Sequence, residues 1–494
     1  MAKRTAIIDI GSNSVRLSIY ERTSRYGFHQ LHEAKSRVRI GENAYEHGGE
    51  LQKEPQDRAI YTLEGFVSIA SSFGVRKTLC VATSALRDAP NSSQFLKRVQ
   101  ENTGLKIKII DGLKEAELGG IACASLLPLS SGITMDIGGG STEFALFKEG
   151  RVIDTYSLDL GTVRLKELFF DNKNVEGAKK YIKKVFEELP ETFRHKDVAG
   201  IGGTIRTLSK IIMQKIDYPL DKLHGFVYKP DDHNDFFETI LSAKNHSKLA
   251  QLGVKRARFD VIQPGTLIFR ELFSLLSAKR LTVSGVGVRE GLFLSDLLRS
   301  NAMRFPANFN PNLRNLLDRF CVDSRYSNQL SAISKKIYLT IHETINLKDS
   351  YLKHIEYASR LSMMGLQAHH RTRHRHGMYL VLGVLEFQLS HKDIVLISSL
   401  MRYNENKPPS PKFLKKFKDL LPSTQTVLAL SYIITLAQAL LYRRAKRYDY
   451  DFEIGSEGHL IIYYLDDGDV YFAQEQINHI ESPIKMHIEF RKKS

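Results

Sequence analysis

The chain is short of cysteine, of long apolar runs and of acidic residues, and each shortage excludes something. Its three cysteines, Cys80, Cys123 and Cys321, lie far apart with no CxxC pair. A disulfide scaffold and a structural zinc site are excluded, and a reducing cytoplasm is the expected compartment. The longest apolar stretch, Val427 to Tyr442, contains Ser431, Thr435 and Gln438 and falls short of the ~20 residues that span a bilayer. It is expected to be a buried helix. Residues 1 to 20 start basic like a signal peptide, but Asp9, Asn13 and Arg16 interrupt the apolar region that a signal requires. No low-complexity tract is present.

The acid shortage is large: 71 Lys and Arg stand against 55 Asp and Glu over 494 residues, a formal charge of +16. Such an excess points to a polyanionic partner, whether nucleic acid, anionic lipid or polyphosphate. The charge is unevenly spread. Residues 1–300 carry 44 positive and 36 negative side chains, residues 301–450 carry 23 and 10, and residues 451–494 carry 4 and 9. The middle block includes His369 to His376, where four His alternate with Arg371, Arg373 and Arg375. This run is either a solvated face or a contact for a long polyanion. At 42% hydrophobic residues the chain can build cores, and its length suggests about three domains.

What is present is a repeat. Asp9-Ile-Gly-Ser-Asn-Ser-Val-Arg16 recurs as Asp136-Ile-Gly-Gly-Gly-Ser-Thr-Glu143. Each copy follows an apolar β-rich run, leads into an alternating strand (Val15 to Tyr20; Phe144 to Phe147), then a turn and a third strand (His29 to Ala34; Val152 to Leu158). Further strands are expected at Leu79–Ala82, Lys106–Ile110, Val198–Ile201 and Leu281–Val286, with helices at Asn91–Asn102, from Lys114 and at Gly177–Leu189. Two similar α/β lobes follow. Phe305 to Asn312 reads as a linker, and helices succeed one another to about Arg447, with Pro408 to Pro411 between them. Strands at Leu460–Tyr464 and Lys485–Phe490, around a turn at Asp466–Asp469, make a small C-terminal segment.

Glycine turns between strands expose backbone N–H groups and let an anion approach. Gly138, Gly139, Gly140, Ser141 and Thr142 form one such turn, and Gly11, Ser12, Asn13 and Ser14 its counterpart, an arrangement suited to clamping phosphate between lobes. Asp136 and Glu143 bracket the second loop and suit a divalent cation on phosphate oxygens. The first copy has Arg16 where the second has Glu143, a cationic partner for phosphate. Thr83, Ser84 and Arg87 stand at a helix start, either an anion site or an ordinary cap. Gly202 and Gly203, in Gly200-Ile-Gly-Gly-Thr204, form another glycine turn before a helix.

In order and spacing, Ile7 to Ser14, Ala82 to Arg87, Asp111 to Ala116, Asp136 to Glu143 and Gly202 to Thr204 resemble the exopolyphosphatase/guanosine pentaphosphate phosphohydrolase (Ppx/GppA) family over about residues 5–300. The resemblance implies two duplicated actin-like lobes (the sugar kinase and Hsp70 superfamily, ribonuclease H-like) with a cleft between them, at 1–124 and 125–300. An all-α HD-like domain at 301–447 and a small α+β segment at 448–494 complete the expected architecture. It further implies Glu115 as the base that activates water, Asp136 and Glu143 as magnesium ligands (manganese the alternative), and the two loops with Arg87 as phosphate-binding elements. Arg258 resembles an arginine near the cleft. The residues alone do not choose among Asp111, Glu115 and Glu117.

The resemblance also departs in places. The positions expected to carry the HD pair read Leu361-Ser-Met-Met-Gly365, Arg402-Tyr-Asn404 and Ala437-Gln-Ala439, while His374 and His376 remain. This domain is therefore expected to lack a second catalytic centre and instead to hold a long polyphosphate chain or a dimer interface. The implied activity is release of terminal phosphate from inorganic polyphosphate, guanosine pentaphosphate or both, by a cytoplasmic enzyme that forms a homodimer and uses neither nucleic acid nor a membrane. A non-catalytic sensor of these ligands and an ATP-using kinase or ATPase of the same superfamily are the competing readings.

Overall fold

Strands β1 (Lys3–Ile10) and β2 (Val15–Arg22) form an antiparallel hairpin whose apolar residues alternate, as a strand with one buried face requires. Ala6, Ile8, Ile10, Val15, Leu17 and Ile19 are fully buried in one core, which leaves Asp9 and Arg16 on the opposite face. Strand β3 (Phe28–Ser36) continues the meander, and β4 (Lys77–Ala82) and β5 (Ile107–Ile109) add parallel strands, giving the order β3-β2-β1-β4-β5. Helices Lys53–Ser72 and Ser92–Thr103 contribute Leu63, Phe66, Phe95 and Val99 to that core. Gly104, left-handed at φ 69°, ends the second helix. This computed structural model describes residues 3–403, 409–484 and 486–493.

The second sheet repeats the design. Strands β6 (Ser131–Ile137), β7 (Thr142–Lys148) and β8 (Arg151–Leu158) form the meander, and β9 (Asp197–Ile201), β10 (Val227–Tyr228) and β11 (Arg280–Val283) complete the order β10-β11-β9-β6-β7-β8. The register aligns the repeats residue by residue: Asp9 pairs with Arg16 and Arg16 with Lys35, as Asp136 pairs with Glu143 and Glu143 with Ser157.

Helix Gly112–Leu126 packs on the second sheet although it follows the first in sequence. It lies so close that a Cβ on Gly120 would stand 2.6 Å from Ala145 and one on Gly112 2.3 Å from Ser157. The expected lobe boundary at 124/125 falls inside this helix. Helix Val288–Leu297 reaches the other way, onto the Asp9 face of the first sheet, where Ile7 and Ser18 are fully buried. There Arg289 donates to Ser18 at 2.7 Å, Tyr20 donates to Glu290 at 2.5 Å and its ring stacks on Phe293. The lobes thus exchange helices, which fixes the space between them.

The first compact unit extends to Asn310 and the second begins at Pro311. The expected linker is therefore shorter than read, because Phe305 and Phe309 pack edge-on against Tyr26 and belong to the first unit. In the second unit, helices Ser324–Ile341, Leu352–Leu361, His391–Arg402 and Thr424–Leu440 surround one core. Ser390 and Asp393 form a capping box at one helix start. Strands β12 (Asp451–Ile454), β13 (Leu460–Tyr464) and β14 (Ile488–Lys492) make a small sheet whose Leu460 and Ile462 share that core with Ile433 and Tyr338. A division at 447/448 is thus not a core boundary. Asp466 to Asp469, expected as a turn, opens helix Asp467–Asn478, with the Asp466 carboxylate accepting from the Gly468 N–H at 2.8 Å. Asn404, Pro408 and Lys485, used in the sequence reading, lie outside the described residues. No helix is long and apolar enough to cross a membrane among the described residues.

Candidate active site

Directly opposed residues on antiparallel strands project to the same face. The pairing therefore sets Asp136, Glu143 and Ser157 side by side across β6, β7 and β8. The Ser157 hydroxyl donates to Glu143 Oε1 at 3.1 Å. The two glycine loops close identically: Gly11 N–H donates to the Ser14 carbonyl at 3.2 Å and Gly138 N–H to the Ser141 carbonyl at 3.0 Å. They face one another, since a Cβ on Gly139 would stand 3.0 Å from the Ser12 side chain. Gly202, at φ +94°, turns the chain into helix Gly203–Lys215 with Asp136 Oδ1 2.9 Å from where its Cβ would lie. A side chain there would be strained and would press on that carboxylate.

Glu115 enters from the first turn of helix Gly112–Leu126, whose N-cap Asp111 accepts from the Lys114 N–H at 2.7 Å. The three nearby carboxyls are now distinct. Asp111 is spent on the cap, Glu117 pairs at the surface with Lys114 at 2.7 Å, and Glu115 is buried with Oε2 lacking a hydrogen-bond partner. Arg87 Nη1 lies 3.5 Å from that oxygen, while its Nη2 donates to Ser141 at 3.4 Å, so one guanidinium links the helix to the second loop.

The acids crowd one another. Burial, then Glu143, Asp136 and Asp9, push the Glu115 carboxyl well above the usual range, opposed by Arg87. Burial and Asp136 raise Glu143 to about 8, and burial with Asp9 raises Asp136 to about 6 against the pull of Arg206. Burial also raises Asp9. Carboxylates held this way in a protein interior favour either protonation or a cation.

The expected hydroxyl donors behave differently. Ser12 and Ser84 share a 2.9 Å hydrogen bond, and Thr142, fully buried, donates to the Leu160 carbonyl. Thr142 is therefore a structural strut and not a phosphate donor. Thr83 and Ser84 stand at the start of a single turn, Ser84–Arg87, too short to act as an anion-binding helix end. Thr83 N–H is used by the Ile10 carbonyl at 3.2 Å. The Asn13 carbonyl accepts from Arg39 N–H and the Gly140 carbonyl from Arg164 Nε, which brace the loops from outside.

Cations gather opposite the acids. The Arg258 guanidinium occupies the space beside Gly203, where a Cβ would overlap it, and it feels the charges of Arg16 and Arg206. Arg206 is buried beside Asp136 and donates to the Gly202 carbonyl at 3.1 Å. Arg206, Ser157, Lys35 and Arg164 were missed in the sequence, and Asp9 was recognised only as part of the repeat. The aligned register is the signal that finds Asp9, Ser157 and Lys35. Arg371, Arg373 and Arg375 lie in the second unit, at the start of helix Arg373–Val384, with Arg371 and Arg375 exposed and Arg373 donating to the His370 carbonyl at 3.1 Å. Met363 and Met364 of the degenerate HD positions are core residues. Among the described residues no three His, Cys, Asp or Glu side chains form a ready metal cage.

The chain resembles known proteins over most of its length. Residues 18–300 match the Ppx/GppA phosphatase family, and residues 311–457 match Ppx/GppA phosphatase, domain III. The family member from Aquifex aeolicus is 29% identical, covers 61% of this chain and 99% of its own, and superposes with a TM-score of 0.53. An exopolyphosphatase from Cytophaga hutchinsonii is 25% identical over 61% of this chain and 100% of its own, with a TM-score of 0.56. A bifunctional 3-dehydroquinate synthase/phosphatase of Fusobacterium nucleatum is 30% identical over 298 residues, which are 56% of this chain but only 44% of that protein. The α/β part is a duplicated fold of two related sheets, shared with these Ppx/GppA structures. With residues 18–300 and 311–457 matching its two models, this protein belongs to the Ppx/GppA phosphatase family.

Proposed function

We propose that the chain hydrolyses terminal phosphoanhydride bonds, releasing phosphate from inorganic polyphosphate, from guanosine pentaphosphate, or from both. One observation carries this reading: a buried group of acids, Glu115, Asp136 and Glu143, faces two glycine loops and an arginine cluster across one interlobe space. Hydrolysis of such a bond needs a positioned water, a group to take its proton and positive charge on the phosphoryl oxygens.

Glu115 Oε2 is buried and accepts no hydrogen bond, so it has a lone pair for a water proton. Burial first, and then the neighbouring acids, make it a stronger base than a free carboxylate, the direction a proton acceptor needs. Arg87 holds the carboxylate from the side and reaches Ser141 in the loop, so it orients the base relative to bound phosphate. Backbone N–H groups of Gly139, Gly140 and Ser12, in the two facing loops, would receive phosphate oxygens.

The site suits magnesium. Asp136 and Glu143 are neighbours on one face, burial and their mutual repulsion outweigh the pull of Arg206 and Arg87, and two carboxylates completed by water and phosphate oxygens are what this ion prefers. These two residues would hold it, and bound there it would supply neutralising charge to the substrate; manganese is the alternative. Phosphate release measured side by side on polyphosphate and guanosine pentaphosphate, with magnesium titrated, tests the reading. Turnover of neither, or greater turnover of ATP, overturns it.

The second unit is proposed to hold long chains. Changing Arg371, Arg373 and Arg375 together to Gln is expected to weaken binding of long-chain polyphosphate several-fold while guanosine pentaphosphate hydrolysis stays near wild type. Equal losses on both substrates, or none, would remove the three arginines from this role. A homodimer and a cytoplasmic location belong to the same proposal.

A further inference from the structure

The duplication places opposite charges at equivalent positions. Across β6, β7 and β8 the row reads Asp136, Glu143, Ser157; across β1, β2 and β3 it reads Asp9, Arg16, Lys35. Arg16 and Lys35 are thus direct cross-strand neighbours of like charge, a placement that destabilises a sheet. Arg37 comes from the same lobe, and Arg206 and Arg258 from the other. Burial and these four arginines push the Lys35 ammonium down to about 8. The Arg258 guanidinium is lowered to about 10, by burial first and then by Arg16 and Arg206.

Counter-charge is scarce. Glu33 is shared by Arg16 at 3.5 Å and Arg289 at 2.7 Å. Asp260 is taken by Arg37 at 2.7 Å and Arg39 at 2.9 Å. Arg206 donates to the carbonyls of Gly202 and Gly285. Among the described residues Lys35 and Arg258 have no carboxylate within ion-pair distance. Like charges gathered without partners violate the local rules of folding, and such violations concentrate where a ligand supplies what is missing. The direction of the row is also informative. β3 is the edge of its sheet, so Lys35 keeps a share of its surface in solvent while its ammonium faces the arginines. Two strand spacings separate it from Asp9, about 10 Å at the backbone, so the row leads outward from the acids.

We infer that Lys35, with Arg258 behind it, forms an outer phosphate subsite for phosphate groups beyond the scissile anhydride. The direction of the chain rests on the phosphohydrolase reading above; the anion site itself does not. Two sources share this chemistry: the continuing chain of inorganic polyphosphate and the 3′-diphosphate of guanosine pentaphosphate. Lys35 sets which substrates bind well and leaves the chemical step to the acids.

The test uses the full chain with Glu115→Gln to block turnover, and calorimetric titration with tripolyphosphate, long-chain polyphosphate, GTP and guanosine pentaphosphate. Adding Lys35→Met is expected to weaken long-chain binding about tenfold, the value of one charge-assisted hydrogen bond to phosphate, and tripolyphosphate binding less than about twofold. Lys35→Arg should restore it. A loss for guanosine pentaphosphate relative to GTP assigns the subsite to the 3′-diphosphate, and a loss confined to long chains assigns it to linear polyphosphate. Unchanged affinity for all four ligands, or equal loss on all, overturns the inference. Failure of the hydrolase reading looks different: the unsubstituted protein would release no phosphate while Lys35 still governed binding. An unaltered melting temperature of Lys35→Met shows that the fold is intact.

Discussion

Glu115→Gln is expected to lower phosphate release by about 10²–10⁴-fold, the usual contribution of a general base, while polyphosphate affinity stays within about twofold. The amide keeps the shape of the carboxyl and still faces Arg87, but it cannot take a proton from water. Glu115 is singled out by its surroundings. It is buried, it lies among Glu143, Asp136 and Asp9, and its Oε2 has no hydrogen-bond partner. Asp111→Asn and Glu117→Gln serve as controls, since one carboxylate caps a helix and the other pairs with Lys114 at the surface. Both should keep near-normal turnover, with Asp111→Asn staying close to the parent in stability because an Asn side-chain oxygen caps a helix as well as Asp. Steady-state phosphate release on all three variants decides the point. Retained turnover in Glu115→Gln would dismiss it as the base.

The second large effect concerns the helix that carries Glu115. Gly291, in helix Val288–Leu297, meets helix Gly112–Leu126 so closely that an added Cβ would stand 1.9 Å from the Leu118 carbonyl oxygen. The obstructing atoms are backbone, so no side chain can swing away, and the helices must separate. Gly291→Ala is expected to cost roughly 3 kcal/mol or more, a fall in melting temperature on the order of 10 °C. Separation would also shift Glu115 relative to Glu143, so turnover should fall with stability. Gly65→Ala is the contrast: Gly65 sits in helix Lys53–Ser72 with nothing within 4 Å of the new methyl. That change should stabilise by about 0.5–1 kcal/mol through helix propensity and the unfolded chain. Differential scanning calorimetry on the pair checks both signs, and a melting temperature for Gly291→Ala close to that of the parent would refute the packing argument.

Both predictions depend on close approaches that no sequence pattern announces. The strands were legible because alternation in Ile8, Ile10, Val15 and Leu17 reports a buried face locally. Helix ends were legible where a glycine or a capping residue marks them, as at Gly104. The C-terminal segment reads as a small α+β unit because its strands are local, but a shared core is not visible in strand alternation. Only packing shows that Leu460 and Ile462 join the helices around Tyr338 and Ile433. The Asp466 to Asp469 run looked like a turn because Asp and Gly favour both turns and helix starts, and the following helix decides between them.

By itself the sequence determined the duplication, the paired Asp-Ile-Gly turns and the exchange of Glu143 for Arg16 between copies, because these are local and repeat in order. Tertiary structure decided the rest of the site. It chose Glu115 over Asp111 and Glu117, because burial and the field of acids on other strands set a carboxyl's behaviour. It removed Thr142 from the phosphate donors by committing its hydroxyl to Leu160. It brought Lys35 to Arg16 through strand register and Arg206 and Arg258 from the second lobe, and cation repulsion depends on distance in space, which chain order does not carry.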